Sequence, residues 1–335
     1  MIKTTNVLND SFGRKHNYLR ISLIEKCNLR CDYCMPAAGI PLSPKKELMN
    51  ADEILKMAKI FVSQGVDKIR LTGGEPLVRK DFADIVKKLA TLPVRLSITT
   101  NAILADRFIE TFHQYGLTDI NVSLDTLETD KFKMITRRDQ FKKAYQNIQL
   151  LINEGFNVKI NAVLMQDFNK DEIVDFVMLT RNSPITVRFI EFMPFDGNRW
   201  NKSKLVTEKE ILEEVTDFFG DKYLHKLEDE QHFTSRNYQI EGFEGKFGII
   251  SSVTNPFCSG CNRIRLTANG KIKNCLFSNH ELDLLTALRE GRDVKELILK
   301  SLGEKKKVRA GMDDFEKLND PEKHNKNRSM ISIGG

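Results

Sequence analysis

Apolar, β-branched runs recur through the first 200 residues, at 18–25, 66–71, 94–100, 119–125, 157–165 and 187–193. Between them the apolar positions change period from two to about 3.6. Residues 52–62 place Ile54, Leu55, Ala58, Phe61 and Val62 on one helical face, and Gly65 follows as a stop signal. Segments 81–92, 104–115, 139–153 and 170–181 repeat the pattern, with Gly116 and Gly155 closing two of them. Six strands separated by helices predict α/β architecture: a parallel sheet with right-handed crossovers. An open sheet and a barrel both satisfy the alternation.

The rhythm breaks after about Trp200, which divides the chain into residues 1–200 and 201–335. A helical segment at 208–219 is followed by strands at 238–241 and 247–253. Strands at 263–266 and 271–275 then flank Ala268-Asn269-Gly270, a hairpin signal because Asn-Gly accepts the positive φ of a tight turn. Helices are predicted at 282–290 and 294–302. From Gly303 onward charges dominate and apolar residues are few, so 303–329 is expected to be poorly ordered before the closing stretch 330–335.

The predicted strands contain an anomaly. Parallel strands are covered on both faces and read as near-continuous apolar runs, yet Arg20, Arg70, Lys159 and Arg188 each interrupt one. Burying a charge without a partner costs several kcal/mol. Either carboxylates such as Glu191 and Asp125 neutralise them, or they share a polyanionic ligand. Arg263 and Arg265 alternate along a later strand and therefore face the same way. Arginine suits phosphate because its planar fork donates two parallel charge-assisted hydrogen bonds. No Walker-type glycine loop is present, so a bound nucleotide would be gripped by side chains and altered away from its phosphates.

Composition narrows the class further. With 335 residues, 41% hydrophobic and 29% charged, the chain reads as an ordinary globular protein. A net charge of +6 agrees with an anionic ligand and falls short of a nucleic-acid-binding signature. No stretch approaches the roughly 18 consecutive apolar residues of a membrane helix, and residues 1–20 show no secretory signal. The expected location is the cytoplasm, where clustered cysteines serve metals or catalysis rather than disulfides.

All six cysteines fall into two triplets: Cys27-x3-Cys31-x2-Cys34 after the first strand, and Cys258-x2-Cys261-x13-Cys275 around the Asn-Gly hairpin. Thiolates suit zinc or iron–sulfur clusters. Structural zinc takes four protein ligands, and so does a closed four-iron cluster. Three thiols per site suggest two clusters that each keep one iron open. Zinc completed by a histidine stays an alternative, chiefly for the second triplet, as does an iron–sulfur electron carrier.

The first triplet, with Tyr33 before its third cysteine, resembles the signature of the radical S-adenosylmethionine (SAM) superfamily. Gly73-Gly74-Glu75-Pro76 resembles its GGEP element. The resemblance extends through Thr99-Thr100-Asn101, 121–125, 188–193, the second triplet with Arg263 and Arg265, and Gly334-Gly335, to the GTP 3′,8-cyclases of molybdenum cofactor biosynthesis. It implies an incomplete (β/α)6 TIM-like barrel whose open side is covered by the C-terminal α+β region. It also implies two [4Fe–4S] clusters, one on Cys27, Cys31 and Cys34, the other on Cys258, Cys261 and Cys275. Tyr33, Gly74, Glu75, Ser123, Asp125 and Met193 would meet SAM. Arg20, Arg70, Thr99, Lys159, Arg188, Arg263 and Arg265 would meet GTP. Arg263, Arg265, Gly334 and Gly335 would act in catalysis. Implied partners are GTP, a reductant such as flavodoxin or ferredoxin, cyclic pyranopterin monophosphate synthase as the next enzyme, and a second copy in a homodimer, with no nucleic acid or membrane. A peptide-modifying radical SAM maturase is the nearest rival, although the chain shows no candidate peptide-binding module.

Overall fold

The structure, a computed structural model, describes residues 8–35, 39–229, 232–320 and 327–334. Six strands follow the predicted runs closely: β1 (Tyr18–Ser22), β2 (Lys68–Thr72), β3 (Arg95–Thr100), β4 (Asp119–Ser123), β5 (Asn157–Leu164) and β6 (Thr186–Glu191). They pair in parallel in chain order. The helices between them include α1 (Ala51–Ser63), α2 (Phe82–Leu89), α3 (Ile109–Gln114), α4 (Thr129–Thr136), α5 (Phe141–Asn153) and α6 (Ile173–Met178). In α1, Asn50 and Glu53 form a reciprocal capping box, and Ile54, Met57, Ala58, Phe61 and Val62 are buried.

The C-terminal part extends this same sheet at both edges. It supplies α7 (Glu208–Phe219), β7 (Leu224–Lys226), β8 (Arg236–Ile240), β9 (Lys246–Ile250), β10 (Arg263–Leu266), β11 (Lys271–Lys273) and β12 (Leu282–Asp283), then α8 (Leu284–Arg289) and α9 (Val294–Gly303). Strand β10 runs parallel beside β1, and β9 runs parallel beside β6. The described strands therefore make one 12-stranded, mostly parallel sheet in the order β12-β11-β10-β1-β2-β3-β4-β5-β6-β9-β8-β7.

Several expectations need correction. Predicted helices 104–115 and 170–181 each open with a 3₁₀ turn, Ala105–Arg107 and Lys170–Glu172, before α3 and α6. Residues 282–283 pair as β12 instead of starting a helix, and Asp283 caps α8 by accepting from the Thr286 N–H at 2.9 Å. Helix α4 and strand β7 had no predicted counterpart. The stretch expected to be poorly ordered is packed from 303 to 320. Its few apolar residues, Met312 and Leu318, complete a second small core with Leu205, Val253 and Phe277. Sparse hydrophobicity suffices there because the segment lies across a surface that other elements have already built.

Candidate active site

In register, the inward positions of the sheet form rungs of polar side chains. Arg265, Arg20 and Arg70 stand side by side on β10, β1 and β2, and Arg263, Tyr18 and Lys68 form the rung beside them. Thr99, Asn121, Lys159 and Thr186 continue across β3 to β6. All these side chains, with Arg188, line one cavity of about 440 Å³. All seven residues expected to meet GTP therefore converge, and Met193 lines the same cavity.

No carboxylate among the described residues pairs with Arg20, Arg70, Lys159, Arg188, Arg263 or Arg265. The two acids considered as neutralising partners are engaged elsewhere. Glu191 accepts from the backbone of Val253 and Thr254 and from the Thr254 hydroxyl. Asp125 accepts from the Tyr33 hydroxyl at 2.7 Å and the Val163 N–H at 2.9 Å. The Nε atoms of Arg20 and Arg188 are buried without a hydrogen-bond partner, as are the side-chain oxygens of Asn121 and Asn161. Burial first, then repulsion from neighbouring arginines, pushes the Arg188 and Arg265 guanidiniums below their ordinary values. Such crowding destabilises an empty site and suits a polyanion.

Tyr18, Lys68 and Asn161 were not among the residues expected at the site, and Asn121 entered only within the 121–125 stretch, with no role of its own. The Tyr18 hydroxyl accepts from Arg70, and Arg20 and Lys68 lie over its ring. Their signal was available: each stands two residues from a singled-out position, and that period keeps it on the same face.

The two cysteine trios lie beyond opposite ends of β1. Cys27 follows the end of β1, and Cys261 precedes Arg263, the β10 residue level with Tyr18. The length of β1, roughly 16 Å at about 3.3 Å per residue, separates these ends. Cys258, Cys261 and Cys275 line the cavity. The first trio sits in a loop that hangs on α4: Arg30 N–H donates to the Thr136 carbonyl and Asp32 N–H to the Ile135 carbonyl. Leu29 N–H reaches the Cys27 sulfur at 3.4 Å, and Asn101 holds Asn28 at 2.7 Å.

The residues expected at SAM surround this loop, mostly as its scaffold. Gly74 lies against the backbone of Lys26, where any Cβ would strike the Lys26 carbonyl. The Glu75 carboxylate is taken by the N–H groups of Leu77 and Asn101 and the Thr100 hydroxyl. Burial outweighs those bonds and pushes it up to about 7. Asp125 likewise rises to about 6 through burial and fixes Tyr33. Ser123 pairs in register with Asn161 at the end of β4. Gly334 adopts φ 82° and packs between Ser22 and Thr72, while its carbonyl accepts from Arg265 at 2.5 Å. Gly335 lies outside the described residues.

The donor sets fit iron–sulfur clusters. In a cuboidal cluster each thiolate meets a different iron, so three cysteines hold three corners. Burial pushes the Cys27 thiol up to about 12 and raises Cys31 and Cys34 as well, so these groups need a metal's positive charge to ionise. At Cys261 burial acts the same way, but Arg263 and Lys305 outweigh it and hold the thiol down at about 5.

This fold and loop define a radical SAM protein. The Radical SAM superfamily model matches residues 21–180, and the Molybdenum Cofactor Synthesis C model matches residues 185–310. The chain belongs to the GTP 3′,8-cyclase family. It is 46% identical to "GTP 3′,8-cyclase, mitochondrial" of Arabidopsis thaliana, over 99% of this chain and 84% of that protein. It is 38% identical to "GTP 3′,8-cyclase" of Alkaliphilus oremlandii, over 98% and 100%. "Molybdenum cofactor biosynthesis protein 1" of Drosophila melanogaster is 48% identical over 90% of this chain. The chain spans only about half the length of this and similar animal relatives, 54% in the fly. Among solved structures, Streptococcus suis SuiB shares the fold, with a TM-score of 0.55 and 18% identity over 79% of this chain and 62% of SuiB. [4Fe–4S] clusters and SAM are the cofactors this family membership implies. No described helix is long and apolar enough to cross a membrane.

Proposed function

We propose that the protein converts GTP to 3′,8-cyclo-7,8-dihydro-GTP, the first step of molybdenum cofactor synthesis. One observation carries this reading: Arg20, Arg70, Lys159, Arg188, Arg263 and Arg265, none paired with a carboxylate among the described residues, share a cavity with the second cysteine trio. A triphosphate satisfies the cations, and the far end of the same molecule then lies against the trio.

When bound, SAM on the first cluster would supply the radical chemistry that removes the C3′ hydrogen of GTP, so that C3′ could join C8, with one electron from the reductant and one proton completing the dihydro product. The chain's own residues position the reactants. Arg20, Arg70, Lys159, Arg188, Arg263 and Arg265 grip phosphates, and Thr99 offers a hydroxyl in the same cavity. Cys258, Cys261 and Cys275 would hold the second cluster, and the purine would meet it from the cavity that they line. Tyr33 and Gly74 shape the SAM side, with Glu75 tying the turn after β2 to Thr100 and Asn101 and Asp125 bracing Tyr33; Ser123 and Met193 complete it. Gly334 brings the tail to Arg265, and its lack of a side chain leaves that approach open.

The sheet is read as an incomplete (β/α)6 barrel, formed by residues 1–200 and closed over by 201–335. Support comes from the convergence of β1 to β6, β9 and β10 on one cavity. A reducing compartment follows from the cluster chemistry. A flavodoxin- or ferredoxin-type reductant, cyclic pyranopterin monophosphate synthase and a second copy of the chain complete the proposed partners.

Anaerobically reconstituted protein, given reductant and SAM, should release 5′-deoxyadenosine with GTP and not with ATP, while GTP is consumed. GTP that neither stimulates cleavage nor disappears would refute the cyclase. Arg265→Ala should keep about eight irons per chain and lose about a hundredfold or more in turnover. Loss of iron in that variant would make Arg265 structural instead.

A further inference from the structure

The segment after α9 buries two cations that the proposed GTP chemistry does not use. Lys305 is 4% exposed and Arg309 5%. No carboxylate pairs with Lys305 among the described residues. Its ammonium donates to the Cys261 sulfur at 3.6 Å and to the Arg263 carbonyl at 3.2 Å. Arg309 donates to the carbonyls of Val253 at 2.6 Å and Asp313 at 2.8 Å, and its backbone N–H meets the Cys258 sulfur. Arg309 and Ala310 both hold positive φ, 40° and 57°. Such backbone is costly and persists only where the surroundings dictate it.

A second segment ties this one down. The Arg14 guanidinium donates to the carbonyls of Cys258 and Lys307 at 2.8 Å and of Lys306 at 3.0 Å. Asp10 orients Arg14 at 2.5 Å and also meets His16 at 3.1 Å. Residues 10–16, 258–261 and 305–310 thus form one closed knot around two of the three sulfurs. The first trio has the opposite surroundings, since its charged neighbours are Glu75, Asp125 and Asp32.

A buried ammonium requires a negative partner, and the one that Lys305 touches is the Cys261 sulfur. Hydrogen bonds and charges at the sulfurs are principal determinants of cluster potential. We propose that Lys305 is a positioning residue of the second cluster, whose ammonium, hydrogen-bonded to the Cys261 sulfur, stabilises the extra electron of the reduced cluster and raises its reduction potential. This inference rests on reading Cys258, Cys261 and Cys275 as a cluster site.

The test uses the full chain with the first trio removed (Cys27→Ala, Cys31→Ala, Cys34→Ala), so that one cluster remains. Iron is counted, and the cluster is titrated with dithionite as the one-electron reductant while its electron paramagnetic resonance signal is followed. About four irons per chain before any change at Lys305 verify the cluster reading; their absence sinks that reading and the proposal with it. Lys305→Met should then keep the iron and shift the midpoint to lower potential, while Lys305→Arg, which retains the charge, should stay near the parent. An unshifted midpoint in Lys305→Met at full iron overturns the proposal, and so does an equal fall in both variants. If Lys305→Met loses its iron and Lys305→Arg keeps it, the charge holds the cluster in place instead of tuning it, and the proposal fails. Loss of iron in both variants means packing alone, and the proposal fails.

Discussion

Lys159 carries a readily lost charge among the cavity cations. Burial first, then Arg188 beside it, pushes it down from 10.5 to about 8. Its charged form is the one that grips phosphate, so GTP binding above pH 8 must draw a proton from solvent. Affinity measured by calorimetry should hold between pH 7 and 8 and then fall by up to about tenfold per pH unit. Lys159→Met should bind more weakly throughout and lose that slope. In the ligand-free protein the sign reverses: the depressed value makes the fold more stable as pH rises from about 8 toward 10.5. A slope unchanged in Lys159→Met would assign the proton to another group. At this scale the sequence revealed Arg20, Arg70, Lys159 and Arg188, because charge in a buried run is conspicuous, and it missed Lys68 at the start of β2. It concealed Tyr18 and Asn161, whose modest polarity blends into a strand while their position on the inward face gives them their role.

At the scale of elements, strands were legible because a six-residue run of β-branched residues has few other solutions. Helix α4 was hidden by its composition, a short Thr-Asp-Lys-rich stretch that gains its helical form from burying Phe132 and Ile135. It matters because its last turn carries the first cysteine loop. The turn after β2 supports that loop from the other side, and Gly74 is where the two backbones touch. Gly74→Ala should cost about 1–3 kcal/mol through overpacking and show as loss of the first cluster alone, about four of eight irons, with the second cluster's resonance signal intact. Full iron in that variant would mean the loop tolerates displacement. The segment after 303 misled for a related reason. Its two decisive side chains are a lysine and an arginine, and charge read as solvation became burial once the Cys261 sulfur took Lys305 and the Val253 and Asp313 carbonyls took Arg309.

For the whole molecule, the sequence revealed the parallel α/β half. The extension of the sheet at both edges was not readable, because pairing β10 with β1 and β9 with β6 depends on contacts between residues far apart in the chain. Both strands that the first 200 residues leave at the sheet's edges are covered by the last 135. A fragment of residues 1–200 should therefore expose two long edges and aggregate. A soluble, monomeric fragment with native circular dichroism would show that the halves fold independently. The neighbouring rungs of arginine and lysine reach beyond the enzyme's own substrate. Water alone cannot relieve that crowding, so multivalent counter-ions from the buffer will occupy the cavity when nothing better is offered. Michaelis constants determined in phosphate or sulfate should exceed those in a zwitterionic medium of equal ionic strength, and preparations washed free of such anions should melt at lower temperature.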